Sequence, residues 1–299
     1  MIIRLWHVIW DSYRTWRKNN APLLSAAFSY YTLFSLAPIL LLVILLAGSF
    51  IGEQNIKSEI TLQIKDIFGP KSAETVSGMI ERTRAPHQGA IATPLSIIIL
   101  FFASTNLFQN LRKILNIIWG CPPRTRNWFY SQLIDRLLSF SIVLIFGVLF
   151  IISFMIDTGL VGFGEYLKPL LPQSAYSHLW EFMNFGFSVI FMFTFFTIIY
   201  KVLPSVKIAW KDVWFGALLT AILIASTKLL IGLYLGNSRI GTIFGGASSL
   251  IVILIWTYYS AQFFLFGAEI TRHFAYTFGS YRKQSFEENL QEASSDGTN

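Results

Sequence analysis

The sequence feature that most constrains the fold is a long apolar run that carries a carboxylate near its end. The run lies within residues 246–273, GASSLIVILIWTYYSAQFFLFGAEITRH. It contains about 20 predominantly apolar positions, the length of helix that crosses the hydrocarbon core of a bilayer. Glu269 is costly there unless another group pairs with it or water hydrates it, so it is a candidate functional residue. The run predicts a membrane helix around which the rest of the chain is built.

Composition supports a membrane protein. Of the 299 residues, 54% are hydrophobic and only 13% are charged. Soluble domains carry about 25% charged residues. The single cysteine, Cys121, excludes an intrachain disulfide, and no second Cys or nearby His completes a metal set with it. We expect no cofactor and no metal.

Apolar periodicity predicts an all-α integral membrane protein with six transmembrane helices. The helices are predicted at about 22–51, 91–119, 136–157, 183–200, 212–235 and 246–273. A loop is predicted at 158–181, and a polar, disordered tail at 279–299. Residues 1–278 would then form one membrane domain.

Two further segments have amphipathic patterns. Residues 1–18 predict a helix that lies in the headgroup layer, and the alternative is a soluble helix packed on the inner loops. Its two faces are Ile2, Trp6, Ile9, Tyr13 and Trp16 on one side and Arg4, His7, Asp11, Arg14 and Lys18 on the other. Residues 52–90 predict an external helical hairpin broken at Gly69-Pro70. Its two stripes are Ile56, Ile60, Ile64 and Ile67 in the first helix, and Ala73, Val76 and Ile80 in the second.

Orientation follows from the distribution of Lys and Arg. Fifteen of them lie before helix 1, between helices 2 and 3, between helices 4 and 5, and after helix 6. Seven lie in the opposite segments, and five of those are in the hairpin, where five acidic residues balance them. Positive loops face the cytoplasm, so both termini are predicted to be cytoplasmic.

With this orientation, polar side chains concentrate in the inner halves of four helices. They predict a polar cavity open to the cytoplasm and sealed outwards by aliphatic side chains. The candidate cavity residues are Ser25, Ser29, Tyr30, Asn106, Gln109, Asn110, Thr194, Thr197, Tyr259, Gln262 and Glu269. Tyr259, Gln262 and Glu269 are predicted to share one helix face. The alternative is that these residues hydrogen-bond between helices, at roughly 0.6 kcal/mol per bond, and have no other role.

Charged residues near these helices are candidate partners. The candidates are Lys113, Lys201, Lys228 and Asp157. Lys228 and Glu269 are predicted to lie at different depths in the membrane, so they are not expected to pair. Lys228 is predicted to extend outward towards Asp157. Glu269 is predicted to meet Lys201, Arg112, Lys113 or Arg14, or to form an interfacial salt bridge that fixes helix 6.

Three stretches resemble the YihY/BrkB family of bacterial inner-membrane proteins, once mislabelled ribonuclease BN. They are AAFSYYTLFSLAPILLL (26–42), YKVLPSVKIAWKDVWFGALL (200–219) and GGASSLIVILIWTYYSAQFFLFGAEIT (245–271). The resemblance implies six membrane helices and location in the inner membrane. It also implies links to virulence and serum resistance, and in one branch to export of lipid A precursors.

These observations favour transport or flipping of a lipid or another anionic amphiphile. The alternative is a non-catalytic scaffold or partner subunit of an envelope assembly that uses the external hairpin. An enzyme is not expected, because no paired nucleophile and base stands out. A nuclease is not expected either, because the four His are scattered along the chain and the sequence contains no nucleic-acid-binding module. The predicted partners are anionic membrane lipids and, as further options, a second copy of the chain or an envelope protein; no nucleic acid is expected.

Overall fold

The computed structural model describes residues 2–84, 92–121, 128–167, 173–237 and 248–281, and these are almost entirely α-helical. Nine helices cover the described residues. They are α1 (Ile2–Lys18), α2 (Ala21–Ile51), α3 (Glu53–Phe68), α4 (Pro70–Arg84), α5 (Ala92–Ile118), α6 (Trp128–Leu167), α7 (Gln173–Val202), α8 (Trp210–Asn237) and α9 (Ser248–Thr277).

Membrane-spanning character is found in four of these helices within the residues that the structure describes. The spans are Ala21–Ile44, Arg136–Ser153, Phe185–Val202 and Ser248–Thr277. The all-helical prediction is therefore confirmed, whereas six spans and the side of the membrane at which the termini lie stay predictions.

Helix α9 is the centre of the bundle, in agreement with the prediction from its sequence. It packs on α8 and α2, and also contacts α1, α3, α4 and α5. Helix α2 in turn packs on α5 and α6, and α7 packs on α8. Every other helix thus packs either directly on α9 or on a helix that does.

The bundle has two chemically different ends. At one end, which we call the corner end, α1 meets the last turns of α9, and Trp119 beyond α5 packs on Tyr281 with ring centroids 5.9 Å apart. Tyr281 also donates a 3.2 Å hydrogen bond to the Lys207 carbonyl in the turn between α7 and α8. Burial raises the pKa of the Tyr281 phenol, so it stays a donor. The N-terminal helix and the last described residues therefore lie at the same end.

The hairpin of α3 and α4 forms the opposite end. It packs against α2 and α9, and the Thr75 and Ser249 hydroxyls are 2.9 Å apart. The predicted stripes are buried against the bundle at Ile56, Ile60, Ile64, Ala73, Val76 and Ile80, and the Ile67 side chain lies outside the described residues. Positive φ angles at Gly52 (97°) and Gly69 (83°), a conformation that glycine adopts freely, make the two sharp turns that flank α3.

Four predicted boundaries are wrong, and the first is the start of the third predicted helix, which is Trp128 rather than 136. Helix α6 continues to Leu167 and α7 already begins at Gln173, so the predicted loop at 158–181 is reduced to the residues between them. The prediction placed these ends where the apolar runs stop, whereas the helices continue through the more polar residues 158–167 and 173–182. The tail predicted from Gly279 is ordered as far as Tyr281, since Ser280 binds Asp212 of α8. The rest of the tail lies outside the described residues.

Candidate functional site

Hydrogen bonds at both ends fix how α2 and α9 align. Asn19, just before α2, donates a 2.6 Å hydrogen bond to Glu269 near the end of α9, whereas Ser249 at the start of α9 contacts the hairpin that follows α2. The two helices are therefore antiparallel. At about 1.5 Å per residue, Ser25 lies roughly 9 Å along α2 from Asn19, and Ser260 lies roughly 14 Å along α9 from Glu269. Ser25 and Ser260 thus occupy neighbouring levels of the bundle.

Several buried polar atoms in the bundle have no hydrogen-bond partner among the described residues. Besides Asp212 Oδ1 near the start of α8, they include five atoms: Ser25 Oγ on α2, Gln109 Nε2 on α5, Thr197 Oγ1 on α7, and Ser260 Oγ and Glu269 Oε2 on α9. A buried polar group left without a partner costs about 1–3 kcal/mol. Four of these five residues belong to the predicted cavity set, and they come from four helices. We call these five atoms the unpaired polar set, because none of them has a hydrogen-bond partner among the described residues, although Glu269 Oε2 is within ion-pair distance of Arg272.

Other predicted cavity residues are satisfied within their own helices. Ser29 donates to the Ser25 carbonyl (2.8 Å), and Thr194 donates to the Ile190 carbonyl (2.9 Å). Asn110 binds both the carbonyl and the side chain of Asn106, at 2.8 and 3.2 Å. These hydroxyls and amides already have protein partners and do not need a ligand for hydrogen bonding.

The aromatic members of the predicted set lie on the surface. Tyr30 is 57% exposed and Tyr259 is 50% exposed, whereas Glu269 is 1% exposed. The prediction that Tyr259 shares a face with Glu269 is wrong. Ten residues at about 100° each place the two side chains roughly 80° apart around α9. Gln262 is half-buried, and its backbone carbonyl accepts a 3.3 Å hydrogen bond from Trp16 of α1.

Glu269 has partners that the sequence did not predict. Its Oε1 accepts the hydrogen bond from Asn19, and its Oε2 lies 4.0 Å from the Arg272 guanidinium one turn later. One turn away in the same pair of helices, Thr15 and His273 are 3.0 Å apart. Glu269 therefore links the end of α1 to α9. The prediction of a contact that fixes helix 6 named basic partners, whereas the hydrogen-bond donor is Asn19.

The basic residues predicted to meet Glu269 are used elsewhere. Lys201 binds the Ile208 carbonyl and lies 5.6 Å from the Trp210 ring centroid, so it holds the turn between α7 and α8. Arg112 donates to Ser205 of the same turn (3.3 Å), and Arg14 lies over Trp10. Lys113 is exposed at the corner end. The side chains of Lys228 and Asp157 lie outside the described residues.

A close helix crossing is the main feature that the sequence analysis missed. A Cβ on Gly216 of α8 would lie 2.6 Å from the Gly267 carbonyl of α9, so backbone meets backbone there. Beside it, Tyr200 of α7 donates to the Phe264 carbonyl (2.6 Å) and lies 2.9 Å from the Thr220 hydroxyl. Three small residues of α8, Ala217, Ala221 and Ala225, are buried near this crossing. A pairwise search for glycines within apolar runs could have found it.

The chemistry available to this arrangement is binding by hydrogen bonds. Within the part of the chain that the structure describes, no group of three His, Cys, Asp or Glu could hold a metal ion. The unpaired polar set offers hydroxyls, one amide and one carboxylate oxygen, which suit water or the polar part of an amphiphile.

Comparisons with known proteins place the chain among membrane proteins. The family described as "Virulence factor BrkB" matches residues 12–291. A UPF0761 membrane protein of Psychromonas ingrahamii is 25% identical over 92% of this chain and 89% of its own length. A UPF0761 membrane protein of Mannheimia succiniciproducens is 24% identical over 87% and 86%, and one of Rhodospirillum centenum is 26% identical over 86% and 55%. No solved structure matches the chain.

Proposed function

Because the chain belongs to the BrkB family of membrane proteins, we propose that it moves a lipid or another anionic amphiphile across the membrane. The proposed path runs between α2, α5, α7 and α9, along the unpaired polar set. We further propose that the protein lies in a bacterial inner membrane with both termini in the cytoplasm, as the distribution of Lys and Arg predicts.

The observation that supports transport is the unpaired polar set itself. A helix bundle held together only by packing would gain stability by replacing such groups with apolar ones. Their presence on four helices is accounted for if water or the polar part of a substrate completes their hydrogen bonds. Polar residues inside membrane segments commonly mark substrate pathways for this reason.

Charge at the corner end supports an anionic substrate. Exposed basic side chains there attract anionic headgroups at about 1 kcal/mol each. They include Arg17, Lys18, Lys113, Lys207 and Lys211.

A lipid-flipping assay tests the proposal. The full chain is reconstituted into vesicles with fluorescent phosphatidylglycerol, and dithionite measures how fast inner-leaflet lipid reaches the outer leaflet. Ser25→Ala and Gln109→Leu each remove an unpaired group, so we expect the fold to be as stable as wild type. We expect flipping to slow about tenfold, the effect of losing roughly 1.4 kcal/mol of transition-state stabilisation.

The matched control is Ser29→Ala, one turn from Ser25 on the same helix. Its hydroxyl is already bonded to the Ser25 carbonyl, so we expect flipping to change little. No flipping by wild type, or equal slowing by Ser25→Ala and Ser29→Ala, would contradict the proposal.

The scaffold alternative rests on one feature of the hairpin. Leu62 is a large apolar side chain, 53% exposed, at the hairpin end of the bundle. If the hairpin docks an envelope protein there, Leu62→Glu should remove a protein that copurifies with wild type. An unchanged pull-down would count against the scaffold, since the other apolar stripes of the hairpin are buried within the chain.

A further inference from the structure

A shallow depression lies at the elbow between α1 and α2, where the chain enters its first membrane helix. It has a volume of about 340 Å³ and is lined by Trp16, Arg17, Asn20, Pro22 and Leu23. We call it the elbow depression. It is separate from the unpaired polar set inside the bundle.

Two of its polar side chains are available to bind a ligand. Arg17 is exposed and has no ion-pair partner among the described residues. Asn20 adopts a left-handed backbone conformation (φ 51°, ψ 42°), and its side chain makes no capping hydrogen bond to α2. A guanidinium and a carboxamide donor that line the same depression suit a phosphate group.

Its other walls are apolar. Leu23 is 70% exposed, and Pro22 lies beside it in the first turn of α2. The Trp16 ring is held in place because its indole nitrogen donates to the Gln262 carbonyl of α9. An apolar wall next to a cationic group matches a molecule in which a charged head adjoins a hydrocarbon chain.

The position of the depression matches the headgroup level of a bilayer. The span in α2 begins at Ala21, directly beside the depression. Along α1, Trp6, Trp10 and Tyr13 are exposed, and Arg17 continues the same face at steps of four, three and four residues. Exposed aromatic rings of this kind favour the membrane interface.

We propose that the elbow depression binds the phosphate of one anionic phospholipid. Arg17 and Asn20 contact the phosphate, and Pro22 and Leu23 contact the glycerol and the start of an acyl chain. This site goes beyond the proposed transport function and does not depend on it, because a lipid bound at equilibrium requires no movement across the membrane.

The experiment is a lipid titration of the purified full chain in detergent, read by native mass spectrometry. Phosphatidylglycerol and phosphatidylcholine are titrated separately against wild type, Arg17→Gln and Lys18→Gln. Lys18→Gln is the matched control because Lys18 carries the same charge on the same helix, is exposed, and does not line the depression. Asn20→Gly removes the amide while allowing the left-handed backbone.

We expect wild type to retain one phosphatidylglycerol in preference to phosphatidylcholine. Arg17→Gln should weaken phosphatidylglycerol binding about fivefold, the equivalent of roughly 1 kcal/mol for one cation near a phosphate. Asn20→Gly should weaken it less, and Lys18→Gln should leave it nearly unchanged.

Three results would overturn the proposal. Equal weakening by Arg17→Gln and Lys18→Gln would show diffuse attraction rather than a site. Equal binding of the two lipids would show that charge is not recognised. Displacement of phosphatidylglycerol by inorganic phosphate at millimolar concentration would show that the depression takes a soluble anion instead.

Discussion

The side-chain amide of Asn19 donates a 2.6 Å hydrogen bond to the buried carboxylate of Glu269. The bond joins the turn before the first membrane helix to the helix at the centre of the bundle, 250 residues later in the chain. It also determines the register of α1 along α9, together with the contact between Thr15 and His273. Glu269 is therefore first of all a residue that positions the N-terminal helix.

Removing Asn19 should destabilise the protein. Asn19→Ala leaves Oε1 of Glu269 without its donor, and its Oε2 already has no hydrogen-bond partner among the described residues. We expect a loss of about 1–3 kcal/mol in the free energy of unfolding, measured by denaturant titration in detergent. Asn20→Gly is the control, because Asn20 is exposed and glycine accepts its backbone conformation. Equal stability of the two variants would show that the bond contributes nothing.

The candidate site could be predicted from the sequence only in part. Of the candidate cavity residues, Ser25, Gln109 and Glu269 are buried and Thr197 is half-buried with a buried hydroxyl, and their lining of a cavity stays a prediction. Periodicity and depth could not show that Ser29 and Asn110 bond within their own helices, since that depends on rotamers. The sequence also favoured basic residues as partners of Glu269, because opposite charges suggest a pair. That neutral Asn19 approaches Glu269 depends on the angle between α1 and α9, which the sequence does not show.

The crossing of Gly216 and Gly267 should tolerate no side chain. Gly216→Ala would place a Cβ against the Thr271 side chain and 2.6 Å from the Gly267 carbonyl oxygen, and a backbone oxygen cannot rotate away. We expect a much lower yield of folded protein and a marked fall in thermal stability, read by size-exclusion chromatography before and after heating.

Gly186→Ala on α7 is the matched control for this crossing. A Cβ there would meet nothing within 4 Å, so alanine should be neutral or stabilise the helix by up to about 1 kcal/mol. Similar losses in Gly186→Ala and Gly216→Ala would show that the crossing is no tighter than the rest of the bundle.

The segment that follows α9 should become more mobile when Asp212 is replaced. Asp212 Oδ2 accepts hydrogen bonds from the Ser280 backbone (3.0 Å) and hydroxyl (2.5 Å), which fold the chain after α9 back onto α8. In Asp212→Ala we expect faster hydrogen exchange at the Ser280 amide. Glu74→Ala, an exposed acid on the hairpin, is the control. Unchanged exchange at Ser280 would mean that packing of Tyr281 alone holds this segment.

The fold was more predictable than the site because contact with lipid or water sets the apolar and polar pattern of a whole helix, and that pattern can be read from the sequence. Apolar runs gave α2 and α9 to within a few residues, and the isoleucine stripe of α3 predicted its buried face. The sequence offers Gly216 and Gly267 as candidates for a close helix crossing, but it does not show which glycines, here about 50 residues apart, the packing of α8 and α9 brings together. The prediction ended α6 at Asp157, where the apolar run stops, although the stronger stop signal is Pro169, two residues after the observed end at Leu167.

The exposed aromatic face of α1 should lie in the lipid headgroup layer. Val8 and Ser12 are buried on the opposite side, so Trp6 (65% exposed) points away from the bundle. In a Cys121→Ser background, a nitroxide at Trp6→Cys should be more accessible to oxygen than to a polar nickel reagent in vesicles. A nitroxide at Asp11→Cys, exposed on the charged side of the same helix, should show the reverse. Equal accessibility to the nickel reagent at both positions would show that α1 stands in water and would contradict the interfacial prediction.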